Sequence, residues 1–167
     1  MKDHERKISL LVKDLGSLCK DKRITIVTAE SCTGGGLAYF MSKEPDCSAM
    51  LERGYVSYSN QAKESLLDVT PNALQIFGPV SKEVAGQMAE GALKNSIAQV
   101  AIATSGISGD DFEPADPEKG VAWIACAAIG RKTIIHSYQI KGPREKFVPQ
   151  AIDTAFKFLL DFIKAMD

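Results

Sequence analysis

Two short segments hold the residue types that hydrolytic chemistry asks for. The first, Thr28-Ala29-Glu30-Ser31-Cys32-Thr33-Gly34-Gly35, joins one apolar run to another. Small residues and glycines let the backbone approach a ligand, and free N–H groups at the start of a helix favour a phosphate or an oxyanion. Ser31 would stand at the carboxyl end of a strand, where α/β folds place their sites. The competing assignment is a serine that caps a helix. The second segment, Tyr58-Ser59-Asn60-Gln61-Ala62-Lys63, offers a base. A lysine whose pKa is lowered by burial or by a nearby positive dipole can deprotonate a serine, and Tyr58 could relay or orient the proton. A solvated helix lysine is the alternative for Lys63.

Three further groups bear on the same chemistry. Thr104-Ser105-Gly106-Ile107-Ser108-Gly109 again follows an apolar run and would line the same cleft if its strand neighbours the first; otherwise it is a plain turn. Arg144, in Gly142-Pro143-Arg144, could hold a phosphate or carboxylate at a helix start, or be an ordinary surface arginine. Cys32 is a rival nucleophile without an evident His or Asn partner, and reads better as a packed thiol. His4 and His136 lack partner motifs and read as structural or solvated.

Several classes are excluded by pattern. Neither G-x-x-x-x-G-K-[ST] nor G-x-G-x-x-G is present, and G-x-S-x-G is absent too. The acidic run from Asp110 to Lys119 does not follow the calcium-loop order and reads as an exposed loop rather than a metal site. A formal charge of -1 over 167 residues gives no global reason to expect nucleic acid. No apolar run approaches the roughly 20 residues of a membrane span. The charged N-terminus is unlike a secretory signal, and the four cysteines form no C-x-x-C pair. A cytoplasmic protein with free thiols is expected.

The elements that must position these groups can be read from periodicity. Ile8, Leu11, Leu15 and Leu18 predict a first amphipathic helix. Ile24 to Thr28, Tyr55 to Tyr58 and Val100 to Thr104 predict strands. Leu37 to Met41 and Ala62 to Leu67 read as helices, Pro71 opens another, and Ser81 caps the next. Val121 to Ile129 and Thr133 to Ile140, joined at Gly130-Arg131, predict an antiparallel hairpin. A last helix begins near Pro143 and buries Phe147, Ala151, Phe158 and Phe162. Strands alternate with helices until the hairpin. The expected fold is therefore one domain over residues 1–167, a three-layer α/β/α sandwich with a mixed, mainly parallel sheet ending in an antiparallel hairpin.

Taken together, Ala29 to Gly35, Arg53 to Lys63, Gly78-Pro79-Val80-Ser81, Ser105 to Gly109 and Gly142-x-Arg144 resemble the CinA C-terminal family over nearly the whole chain. The likeness is to its stand-alone nicotinamide-nucleotide amidase form. The resemblance implies hydrolysis of nicotinamide mononucleotide to nicotinic acid mononucleotide and ammonia, without metal or organic cofactor. It implies Ser31 as nucleophile with Tyr58 and Lys63 as activating partners. Backbone N–H groups at Thr33, Gly34 and Gly35 would stabilise the oxyanion. Glu30, Asn60, Ser105, Gly106 and Arg144 would complete the substrate site. A homodimer or larger assembly is also implied, and Phe77, Phe112 and Trp123 lack an obvious place in the periodicity. The chain departs from the family pattern in two places: before the last helix, where Pro143 stands for the usual aspartate and Val148 for a second arginine, and at Asp110-Asp111-Phe112-Glu113, where a glycine- and proline-rich loop is usual. Those departures leave room for an amidase of a different small amide, or for a non-catalytic nucleotide-binding module.

Overall fold

The computed structural model describes residues 2–109 and 119–166. Strands β1 (Ile26–Glu30), β2 (Leu51–Val56), β3 (Val100–Ile107), β4 (Val121–Ala128) and β5 (Ile134–Gln139) form one sheet in the order β2-β1-β3-β4-β5. The β1 strand pairs in parallel with both β2 and β3, while β3–β4 and β4–β5 are antiparallel. Four of the five strands thus run in one direction, as a mainly parallel sheet with a terminal hairpin requires.

Helices α1 (Lys2–Lys22), α2 (Gly36–Lys43), α3 (Pro45–Ser48) and α7 (Arg144–Lys164) cover one face; α4 (Asn60–Leu67), α5 (Pro71–Phe77) and α6 (Lys82–Lys94) cover the other. Strand alternation sorts the side chains. Ile26, Val100, Ile102, Ile124 and Cys126 join Leu15, Met41, Phe156 and Leu159 on the first face. Val27, Ala29, Ala101, Ala103, Ala125 and Ala127 meet Val84, Met88 and Ala92 on the second. Alanines on that face bring α6 close to the sheet, whereas Ile and Phe fill a deeper layer under α7.

Two strands lie beside their expected positions, for identifiable reasons. The β-branched run begins at Ile24, but the Ile24 N–H still closes the end of α1 on the Cys19 carbonyl, and Thr25 is held by Gln99. Ladder pairing starts only at Ile26. The β2 strand is a partly exposed edge, so its first four residues, Leu51-Glu52-Arg53-Gly54, carry no apolar signature. It ends at Val56, and Ser57-Tyr58 already turn towards α4. The short α3 was not foreseen. Phe147 and Ala151 are buried as expected, while Phe158 and Phe162 are half-buried. Trp123 packs against the core of the second face, and Phe77 is exposed. The acidic run, with Phe112, lies outside the described residues apart from Lys119. Among the described residues no helix is long and apolar enough to cross a membrane.

The chain leaves β1 for β2 across one face and returns from β2 to β3 across the other. The carboxyl ends of β1, β2 and β3 therefore open into a shared crevice, where open α/β sheets bind ligands.

Candidate active site

Parallel register brings the three sequence segments to that crevice. Glu30 pairs with Val56 on one side and Thr104 on the other, so Ser31, Ser57 and Ser105 follow at the same level. The Ser31 N–H donates to the Thr104 carbonyl at 3.0 Å, and the Ser57 N–H to the Glu30 carbonyl at 2.8 Å.

Lys63 reaches Ser31 from the first turn of α4. Ser59 caps that helix, accepting from the Ala62 N–H at 3.0 Å, which sets the angle at which Lys63 enters. The Lys63 side chain is 1% exposed, and its Nζ lies 3.0 Å from Ser31 Oγ, 2.9 Å from the Ser57 carbonyl and 3.1 Å from the Tyr58 carbonyl. No carboxylate pairs with it among the described residues. Burial holds its pKa below the ordinary 10.5, against a smaller opposing influence of Cys32. A neutral amine has two N–H donors and one lone pair. Two carbonyls and one serine hydroxyl match that set, with the lone pair left to accept from Ser31.

Glu30 is not brought to the cavity. Strand alternation turns it to the face opposite Ser31, where it is fully buried. Its Oε1 accepts from the Thr28 hydroxyl at 3.1 Å and the Ala38 N–H at 2.9 Å; its Oε2 accepts from the Thr33 hydroxyl and the N–H groups of Gly35 and Leu37 at 2.7, 3.1 and 2.9 Å. Gly35, in the N-cap position of α2, has no side chain to cap with. Glu30 takes over that task from the strand. Thr33 and Gly35 are thereby drawn inward, and the Gly34 N–H closes a turn on the Ser31 carbonyl at 3.1 Å. Gly34 and Gly35 lie at φ 59° and 94°, in the region open mainly to glycine.

A cavity of about 230 Å³ opens above Ser31 and Lys63. Pro79, Val80, Phe147 and Val148 form apolar walls; Gly106 and Ser108 lie along one side, with Asn60, Tyr58 and Arg144 at the rim. The Ser105 hydroxyl donates to the Pro79 carbonyl at 2.7 Å and so ties β3 to the wall segment. Tyr58 does not meet the dyad through its phenol. That hydroxyl accepts from Arg144 Nη1 at 2.7 Å, and only the Tyr58 backbone carbonyl touches Lys63. Cys32 also lines the cavity, but burial pushes its thiol up to about 12, so it is protonated near neutral pH. His136, on β5, meets Phe158 of α7 edge-on and lies beside Tyr138, and it does not line the cavity. Among the described residues no three His, Cys, Asp or Glu side chains converge as a metal site would need.

The family pattern of the CinA C-terminal domain matches residues 9–163. The chain belongs to that family. It is 35% identical over 161 residues to the nicotinamide-nucleotide amidohydrolase PncC of Enterobacter agglomerans, covering 96% of this chain and 98% of that protein. Identity to the nicotinamide-nucleotide amidohydrolase PncC of Escherichia coli K12 is 36% over 149 residues, 89% of this chain and 90% of the relative. The crystal structure of the competence/damage inducible protein CihA from Agrobacterium tumefaciens superposes with a TM-score of 0.87 at 32% identity, over 93% of this chain and 94% of that one. The expected sandwich, with its mixed sheet ending in an antiparallel hairpin, is the fold of this CinA-family chain and matches that solved structure.

Proposed function

We propose that this CinA-family protein hydrolyses the carboxamide of nicotinamide mononucleotide by a serine–lysine mechanism. The observation that carries the reading is a buried, pKa-depressed Lys63 whose Nζ stands 3.0 Å from Ser31 Oγ, in a chain similar along its length to nicotinamide-nucleotide amidohydrolases. Neutral Lys63 takes the Ser31 proton as the oxygen attacks the carboxamide carbon. The lysine then returns that proton to the departing nitrogen, ammonia leaves, and an acyl-serine remains. Water, deprotonated by the same amine, attacks the ester carbonyl and releases the carboxylate with Ser31 restored. Pro79, Val80 and Phe147 offer apolar surface for the pyridine ring. Arg144 and Asn60 stand at the rim, where ribose phosphate would extend. The test is ammonia release from nicotinamide mononucleotide by purified protein; nicotinic acid mononucleotide should appear in equal amount, and no turnover would leave the non-catalytic reading.

A lysine base makes the pH dependence directional. Activity requires neutral Lys63, so kcat/KM should rise with pH through the depressed pKa and level off above it. A flat profile from about pH 6 to about pH 9, where chemistry limits the rate, would count against a lysine base. Stability follows the same linkage. Below 10.5 the unfolded chain protonates this lysine before the folded one does, so its stability contribution is present above 10.5 and lost as pH falls through the folded pKa. The stability difference between wild type and Lys63→Met should therefore shift towards the variant as pH falls through that window.

Arg144 tests the phosphate end. Its guanidinium is engaged with Tyr58, which aims it across the rim, and a charge-assisted contact to phosphate would add to that. Arg144→Ala should raise KM for nicotinamide mononucleotide roughly ten- to a hundredfold while kcat changes less. Nicotinamide riboside, which lacks the phosphate, should be a poor substrate and nearly indifferent to the change. Equal losses on both substrates would make Arg144 a structural anchor for Tyr58, and would favour an amidase of another small amide, as the apolar Val148 in the wall also would.

We place the protein in the cytoplasm, where its free thiols, three of them buried, stay reduced. We also infer a homodimer or larger assembly, supported by exposed Ile76 and Phe77 at the end of α5. Light scattering giving only an 18.0 kDa species at micromolar concentration would refute it.

A further inference from the structure

Successive residues of a strand turn their backbone N–H and C=O groups to alternate neighbours. In β3 the Val100 N–H reaches Thr25 and the Thr104 carbonyl accepts from Ser31, so even-numbered positions face β1. The Ile107 carbonyl accepts the Gly120 N–H at 2.8 Å, so odd-numbered positions face β4. Gly106 is the next even position, and its N–H points past the end of β1, which stops at Glu30. The carbonyl that a longer β1 would present there, that of Ser31, instead accepts from Gly34. Among the described residues no hydrogen bond engages the Gly106 N–H, and Gly106 lines the cavity with Ser31 and Lys63.

Three other donors near Ser31 are committed elsewhere. Its own N–H binds Thr104, the Gly34 N–H binds the Ser31 carbonyl, and the Gly35 N–H binds Glu30. We propose that the backbone N–H of Gly106 is an oxyanion donor, receiving the carboxamide oxygen as Ser31 attacks. The inference rests on the serine-nucleophile reading above. Negative charge develops on that oxygen in the tetrahedral intermediate, and a donor fixed by a sheet needs no reorganisation to meet it. Glycine suits the position for a further reason: a Cβ at 106 would meet the Val121 carbonyl oxygen at 2.7 Å and the Phe147 ring at 3.0 Å. Side-chain substitution would therefore disturb packing and cannot isolate the donor.

Two measurements can. In protein labelled with ¹⁵N-glycine, pyridine-3-boronic acid should add to Ser31 as a tetrahedral boronate, the boron taking the serine oxygen and Lys63 its proton. The Gly106 amide proton should move strongly downfield while Gly34 and Gly35 stay in place, and Ser31→Ala should abolish the change. An adduct that leaves the Gly106 resonance unmoved would overturn the proposal alone. No adduct at all would overturn the nucleophile and the proposal with it. Replacing the Gly106 amide by an ester through semisynthesis should lower kcat by about 10²- to 10³-fold with little change in KM. An unchanged kcat in a folded ester variant would overturn the assignment as well.

Discussion

Ser31→Ala and Lys63→Ala should each lower kcat for nicotinamide mononucleotide by about three orders of magnitude or more, and the double variant should be little worse than either. The two residues form one functional unit. Without Ser31 there is no atom to accept the acyl group; without Lys63 the hydroxyl has no hydrogen-bonded base among the described residues, since the nearby Ser57 and Tyr58 carbonyls are far too weakly basic to take its proton. Additive losses would show that each residue acts by its own route. Tyr58→Phe should be far milder, because the phenol touches Arg144 rather than the dyad, and its loss should appear mainly in KM. Cys32→Ala should retain most of the activity, as a thiol held protonated is no nucleophile. Loss of activity with Cys32→Ala, coupled to a competent Ser31→Ala, would reverse the two assignments.

The pairing of Ser31 with Lys63 is implied by the family resemblance; the residue pattern alone places each just past a strand end and leaves a helix-capping serine and a solvated lysine open. Strand-end loops of parallel strands converge, so two such segments can share a crevice. What could not be read was the interior character of Lys63. It occupies the first turn of a short helix between polar Asn60, Gln61 and Glu64, and nothing in that pattern separates a buried lysine from a solvated one. Its Nζ is held by Ser31 and by the Ser57 and Tyr58 carbonyls, which is a tertiary fact. The Tyr58 phenol was misplaced for a related reason. Its partner Arg144 is 86 positions away, and only docking of α7 onto the sheet brings them together. Edge strands are the weakest signal of all: Arg53, Gly54 and Val56 of β2 face solvent and the charged Glu52 and Arg53 sit near its start, so that start is invisible to hydrophobic pattern.

Glu30 is where the sequence reading and the structure part most clearly, and it yields the second large effect. Adjacent residues of a strand face opposite sides, so if Ser31 faces Lys63, Glu30 must face α2. Its carboxylate there gathers five donors from β1, the loop that carries Ser31 and the first turn of α2. Glu30→Ala strands three backbone N–H groups and two hydroxyls, each costing about 1–3 kcal/mol if left dry. Against a total stability of roughly 5–15 kcal/mol, that variant is expected to fold poorly or not at all. Glu30→Gln is the sharper test. Its amide oxygen can keep the Thr33, Gly35 and Leu37 contacts, and the Thr28 hydroxyl can rotate to accept, but the new NH₂ then faces the Ala38 N–H. One lost acceptor should lower stability by about 1–3 kcal/mol. The melting temperature should fall by about 2–4 °C per kcal/mol for a chain of this size. Because the lost contact falls on the start of α2, which anchors the loop after Ser31, kcat should drop as well, while KM for nicotinamide mononucleotide stays near the wild-type value. Calorimetry and steady-state kinetics on the same preparation decide the point. A Glu30→Gln variant that melts like wild type yet shows a raised KM would mean that this carboxylate contacts substrate after all.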